Sequence, residues 1–152
     1  MDIHNLLDQV KISVIANPVA AGQADNPSAH RVDMLGYDGV LFLFHVEVFA
    51  ATACATVSVE GGATDADPTA TGALTGATCT YTDTVGGVYD NSVLAINVYK
   101  PQLRYLATTR IGTVANVTWG PCIAIQYKAS QVPVDHTLAV HGILASASVN
   151  SV

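Results

Sequence analysis

Between Val40 and Phe49 the chain alternates without a break. Val40, Phe42, Phe44, Val46 and Val48 fall on one side, and Leu41, Leu43, His45, Glu47 and Phe49 on the other. A side-chain period of two belongs to the β-strand, so this segment is a strand with one wholly apolar face. Its other face begins apolar and becomes mixed, which predicts burial on both sides at one end. Downstream the parity changes: Ala53, Ala55, Val57 and Val59 are the apolar set, against Cys54, Thr56, Ser58 and Glu60. One strand cannot slip by a residue without turning an apolar set to water. A bulge or tight connection is therefore required near residues 50–52, and a connection between two antiparallel strands is expected there.

The same reading finds further short strands at Lys11–Ala16 (Ile12, Val14 and Ala16 on one face), Arg31–Leu35, Thr78–Asp83, Val93–Val98, Arg104–Thr109, Thr113–Trp119 and Cys122–Tyr127. Turn signals separate them at Asn26-Pro27-Ser28, Gly36-Tyr37-Asp38-Gly39, Gly86-Gly87 and Gly120-Pro121. Residues 61–76 are rich in Gly, Ala, Thr and Asp and read as a long exposed loop with a surface-contact role. In Tyr99–Leu106, Pro101 cannot donate to a ladder and interrupts a strand. About eight short strands and no long helix predict an all-β, single-domain antiparallel β-sandwich of jelly-roll-like form. Residues 1–16 form an N-terminal arm and first strand, 17–135 the sandwich, and 136–152 a C-terminal tail. In the arm, Ile3, Leu6, Leu7 and Val10 recur at helical spacing. They fit one or two helical turns, or an extended arm laid on a neighbour.

Charge narrows the function. Only 12% of residues are charged and the net charge is -6, with six basic residues in all. Nucleic-acid binding by phosphate neutralisation is not expected. A lightly charged surface suits a protein built to be covered by partners. No stretch approaches the ~18 apolar residues of a membrane span. The start Met1-Asp2-Ile3-His4 lacks the features of a secretory signal, so synthesis in a cytoplasm is expected. Cys54, Cys79 and Cys122 have no CxxC spacing and read mainly as buried thiols, with a Cys54–Cys79 bridge across a hairpin as the alternative.

Catalytic and metal constellations were sought in the pattern. His136 and His141 are five apart, which suits a shared metal on neither helix nor strand. His45 and Glu47 lack a third ligand. Asp65 and Asp67 are acidic neighbours in the loop, without the Gly and terminal Glu of an EF-hand. No GxSxG is present. The expectation is a non-enzyme with no cofactor and no metal.

Three motifs carry a family resemblance. Tyr37-Asp38-Gly39-Val40 precedes an apolar strand and a β-hairpin with a polar tip. Tyr99-Lys100-Pro101-Gln102-Leu103-Arg104-Tyr105-Leu106 follows. Ile123-Ala124-Ile125-Gln126-Tyr127 comes last, with Pro133 and His136 behind it. Together they resemble the small β proteins encoded among the head genes of tailed bacteriophages, some of which are capsid decoration (cement) proteins. The resemblance spans residues 31–136; the loop 61–76 and the tail after His136 run longer than it would suggest. It implies a virion structural protein on the outer surface of the capsid, made in the host bacterial cytoplasm. Such a protein binds the major capsid protein and itself, as a homo-oligomer and commonly a trimer, with neither nucleic acid nor membrane as partner. Candidate contact residues are Ile3, Leu6, Leu7 and Val10 in the arm, Asp65 and Asp67 in the loop, and Leu138, Val140, Ile143 and Leu144 in the tail. The alternative is another virion role: a head-fibre base, a tail component, or a host- or glycan-binding module using Trp119, Tyr81 and Tyr89.

Overall fold

The computed structural model describes residues 9–22, 30–67, 69, 72–112 and 117–130. Within them the period-two segments form eight strands: β1 (Lys11–Ala16), β2 (Arg31–Asp33), β3 (Tyr37–Phe49), β4 (Cys54–Gly62), β5 (Ala73–Thr82), β6 (Ser92–Tyr99), β7 (Tyr105–Gly112) and β8 (Val117–Ala129). They make two four-stranded sheets, ordered β1-β8-β3-β6 and β2-β7-β4-β5. Every pairing is antiparallel. Apart from the β4–β5 hairpin, each strand is followed by one in the opposite sheet. That winding is the jelly-roll form of the β-sandwich.

The core lies between the sheets. Val40, Phe42, Phe44 and Val46 point inward from β3 and are fully buried. Ala55, Val57 and Val59 of β4, also fully buried, belong to the same cluster, with Ile96 and Leu94 beside them. The rings of Phe42 and Phe44 lie with their centroids 6.4 Å apart in that cluster. Each fully buried side chain of this size contributes about 1.5–3 kcal/mol.

The parity change is resolved in two steps. Val46 pairs with Trp119 but Val48 with Thr118, so Glu47 is an extra residue on β3. That bulge turns Phe49 inward (1% exposed) and leaves Val48 49% exposed, the reverse of the simple alternation. A turn then follows, closed by the Ala53 N–H donating to the Ala50 carbonyl at 3.0 Å. Thr52 takes a left-handed φ of 63° there. The expected connection exists, but it crosses from one sheet to the other.

Other expectations are corrected for related reasons. Gly120-Pro121 is not a turn between two strands; both residues lie inside β8. Phe44 pairs with Cys122 and Val46 with Trp119, so β8 carries an extra residue there. A bulge is where a central strand tolerates a proline, because the missing N–H would have no ladder partner. Val14 and Ala16 do not share a face, since β1 shifts register between them. Ala16 is buried and Val14 is 63% exposed. The loop is shorter than 61–76, because Gly61 and Gly62 end β4 and Ala73 opens β5. Tyr99–Leu106 is not an interrupted strand but the crossing from β6 to β7, in opposite sheets. The Cys54–Cys79 bridge is ruled out by register. Cys54 pairs with Thr82 on the outer side and Cys79 with Val57 on the inner side, and none of the three cysteines is in a disulfide.

One basic side chain enters the interior. Arg110 is 4% exposed and donates to the carbonyls of Gly120 (2.7 Å) and Asn17 (2.9 Å). Its guanidinium lies 6.0 Å from the Trp119 ring centroid. It ties β7, β8 and the segment after β1 together at one end of the sandwich.

Phe44→Ala should cost about 3–5 kcal/mol, as for other buried aromatics cut to Ala. Urea unfolding should show a lower midpoint at unchanged slope. A loss below 1 kcal/mol would contradict the central place of this ring.

Candidate functional site: one end and one face of the sandwich

Antiparallel winding brings distant segments to one end. The start of β1, the β2–β3 turn, the segment between β4 and β5, the β6–β7 crossing and the end of β8 all meet there. The described chain enters at Gln9 and leaves at Ser130, whose N–H donates to the Gly36 carbonyl at 2.7 Å. Between the β2–β3 turn and the β6–β7 crossing is an open groove of about 420 Å³. Met34, Leu35 and Asp38 line one side and Lys100, Leu103 and Arg104 the other. Leu35 is 67% exposed at its rim.

The groove is braced by polar contacts. Arg104 donates from Nε and Nη2 to the two carboxylate oxygens of Asp33 at 2.9 and 2.7 Å, the paired geometry that makes arginine–carboxylate contacts strong. The Leu35 N–H also donates to Asp33 Oδ1 at 2.9 Å. The Arg104 hydrogen bond chiefly holds the Asp33 carboxyl below its ordinary pKa, against partial burial and with the help of Leu35. The same bond pushes Arg104 upward. Lys100 adopts a left-handed φ of 50° and its N–H donates to the Asp38 carbonyl at 2.6 Å. Such a conformation in a non-glycine residue costs of order 1–3 kcal/mol and persists where neighbours impose it. Lys128 Nζ donates to the Tyr99 hydroxyl at 3.1 Å. That bond, with nearby Lys100, draws the Tyr99 pKa down.

Asp65 and Asp67 lie in the loop at this end. Asp65 pairs with Arg31 Nε at 2.6 Å. The Asp67 N–H donates to Thr64 Oγ1, and its carboxylate accepts from Thr69 Oγ1, both at 3.3 Å. Among the described residues no three His, Cys, Asp or Glu side chains gather as a metal site. Val10 is 3% exposed and packs into the protein's own fold. Ile3, Leu6, Leu7, Leu138, Val140, Ile143 and Leu144 lie outside the described residues. Trp119 is 4% exposed, so it offers no stacking platform for a sugar. The rings of Tyr81 and Tyr89 are in contact, centroids 4.4 Å apart and tilted by 60°. Their hydrogen bond, with burial second, pushes the Tyr81 pKa up to about 12.

The two sheets present unlike outer faces. On β2-β7-β4-β5, Thr56 and Thr80 share a hydroxyl hydrogen bond of 3.0 Å and Thr109 donates to Glu60 at 3.0 Å. Thr78 and Thr82 extend that polar surface. On β1-β8-β3-β6, cross-strand register builds an apolar one. One row runs Ile12, Ile125, Leu41, Asn97, and the next Val14, Ile123, Leu43, Ala95. His45 and Val93 pair beyond them. At the other side the Tyr127 ring covers Gly39, where a Cβ would strike it. The Tyr127 hydroxyl donates to Asn97 Oδ1 at 2.8 Å. None of these positions carries a charged side chain. Sequence reading did not find this face. The outward Ile123, Ile125 and Tyr127 are bulkier than the inward Cys122, Ala124 and Gln126, so hydrophobicity alone cannot orient β8. The one usable signal was the apolar start of the second face of β3, at Leu41 and Leu43.

No family model matches the chain, and no curated protein is significantly similar to it. Among solved structures it is similar to a protein of Bacillus endospore appendages, described as a family of disulfide-linked pili. That match has 20% identity over 81% of this chain and 91% of the other, with a TM-score of 0.39. It is also similar to the YxiM protein of Bacillus subtilis at 13% identity, over 86% of this chain but 36% of that one, with a TM-score of 0.37. Likenesses this distant carry no argument, and the β-sandwich stands on its own strand order.

Arg104→Gln should return the Asp33 pKa toward its ordinary value, read by NMR titration of the carboxyl carbon. The Asp33 pKa is depressed in the folded state. Its stabilising contribution is therefore present above the unfolded pKa and is lost as pH falls through the folded one. The stability gap between wild type and variant should close below that point. An unmoved Asp33 pKa would contradict the assignment.

Proposed function

We propose that the protein is a virion structural protein, and in particular a capsid decoration protein that binds the outer surface of a phage head. In this reading it acts as an oligomer and bridges capsid subunits by contact alone. The observation that carries the reading is the convergence at one end of the sandwich. The loop bearing Asp65 and Asp67, the groove beside Lys100 and Arg104, and the first and last described residues, Gln9 and Ser130, all lie there. A loop and a groove that lie together at one end of a rigid domain can engage one partner surface together. The second contact then becomes intramolecular and gains effective concentration. The apolar rows of Ile12, Ile125 and Leu41 and of Val14, Ile123 and Leu43 on the β1-β8-β3-β6 sheet support a contact role as well, since the core of an interface is depleted in charge. The family resemblance of residues 31–136 supplies the partner, the major capsid protein.

Mass spectrometry of virions made from the encoding genome tests this. The chain should be present at a copy number comparable to that of the capsid lattice. Its absence would remove the reading. A copy number of a few per particle would move the protein to a tail or fibre position.

A further inference from the structure

We infer that Lys100, Lys128 and Tyr99 form a binding site for a carboxylate, the side chain of an aspartate or glutamate on an extended partner segment laid in the adjoining groove. The inference rests on the contact role proposed above and adds to it the chemistry of the contact. Its ground is the convergence of two strained cations on one phenol. The Lys128 ammonium lies 4.8 Å from the Tyr99 ring centroid and the Lys100 ammonium 5.5 Å. Lys128 Nζ donates to the Tyr99 hydroxyl at 3.1 Å. The phenolic proton is then available to an incoming oxygen. Tyr99 is 50% exposed and both lysines are exposed, so all three donors meet solvent.

The backbone holds the lysines in place at a cost. Among the described residues four non-glycine positions take a left-handed φ, and two of them are Lys100 at 50° and Lys128 at 52°. Asn91 is another, and asparagine tolerates that region; a lysine side chain gains nothing from it. Strict alternation would turn Lys100 and Lys128 away from the side of their neighbours Tyr99 and Tyr127. Both ammonium groups come instead to the Tyr99 ring. Strain of this kind gathers at binding sites, where it fixes groups before the ligand arrives.

Charge selects a carboxylate. The chain has six basic residues. Arg31 is paired with Asp65 and Arg104 with Asp33, and Arg110 is buried against carbonyls. Lys100 and Lys128 form no ion pair among the described residues. Asp38 stands between them on β3. It falls opposite Lys128, between the Tyr37–Ala129 and Gly39–Tyr127 pairs, and its carbonyl accepts from the Lys100 N–H. Two cations beside one acid leave about one positive charge, which matches a carboxylate; a phosphate carries about -1.5 to -2 and would be left partly unmatched. The net charge of -6 also repels a polyanion. The groove supplies the rest of the contact. Lys100 lines it together with Met34, Leu35 and Leu103. A segment whose carboxylate meets Lys100 therefore brings its neighbouring side chains to an apolar lining.

The probe is acetyl-Leu-Glu-amide, titrated into the full chain and followed by NMR shifts. Saturable shifts should centre on Tyr99, Lys100 and Lys128 and extend to Leu35 and Leu103. Acetyl-Leu-Gln-amide, equal in shape but neutral, should bind at least ~10-fold more weakly, as expected for loss of a charged hydrogen-bond partner. Inorganic phosphate should also bind more weakly than the Glu peptide. Lys100→Gly and Lys128→Gly should each weaken the Glu peptide at least ~5-fold. Glycine is at ease at a left-handed φ, so neither variant should lower the thermal melt. Lysines kept for the fold alone would give the opposite pattern, a lower melt with unchanged binding. The inference is overturned by that pattern, by no saturation at tens of millimolar, by equal binding of the two peptides, or by tighter binding of phosphate. None of these results bears on whether the chain is found in virions, so the two readings fail separately.

Discussion

The inward row of β3 is the interaction on which the rest depends. Val40, Phe42, Phe44 and Val46 are fully buried and lie at the centre of one sheet, between β8 and β6. A row of large apolar side chains on a strand has to be covered, and only a second layer can cover it. β4 belongs to that layer, with an inward row of Ala and Val. The two inward rows belong to one buried cluster. The remaining strands extend the two layers on either side of this pair.

Three irregularities make that packing compatible with the chain. The extra residue Glu47 on β3 reverses parity in time for Phe49 to enter the core. The extra residue on β8 admits Pro121 to a central strand. The shift in β1 lets Ala16 reach the interior although Val14 faces out. Bulges also increase local twist, which helps a sheet wrap over its partner. Buried Arg110 sits at the end where these irregularities lie, and its guanidinium donates to the Gly120 and Asn17 carbonyls beside two of them.

The outcome is a domain with distinct surfaces. One end collects a groove, a loop and the first and last described residues. One side is a sheet face with two largely apolar rows, and the opposite side is a threonine-rich one. On the contact role proposed above, such separation would let two partners be held at once without competing for the same residues.

The sequence by itself determined the fold class, most of the inward rows of β3 and β4, and the turns at Gly36-Tyr37-Asp38-Gly39 and Gly86-Gly87. These follow from a period of two, from glycine, and from local sterics, all properties of short segments. It also showed that parity had to change between Phe44 and Ala55. It could not show whether a connection stays within a sheet or crosses between sheets. That depends on which strands pair, and pairing is a long-range property set by the whole packing. For the same reason Gly120-Pro121 read as a turn, and Cys54 and Cys79 as possible partners, until register put them elsewhere. The outer face of β1-β8-β3-β6 was hidden for a different cause. Both sides of β8 are apolar, so only the tertiary structure, by filling the inside with Cys122 and Ala124, decided that Ile123 and Ile125 would face out.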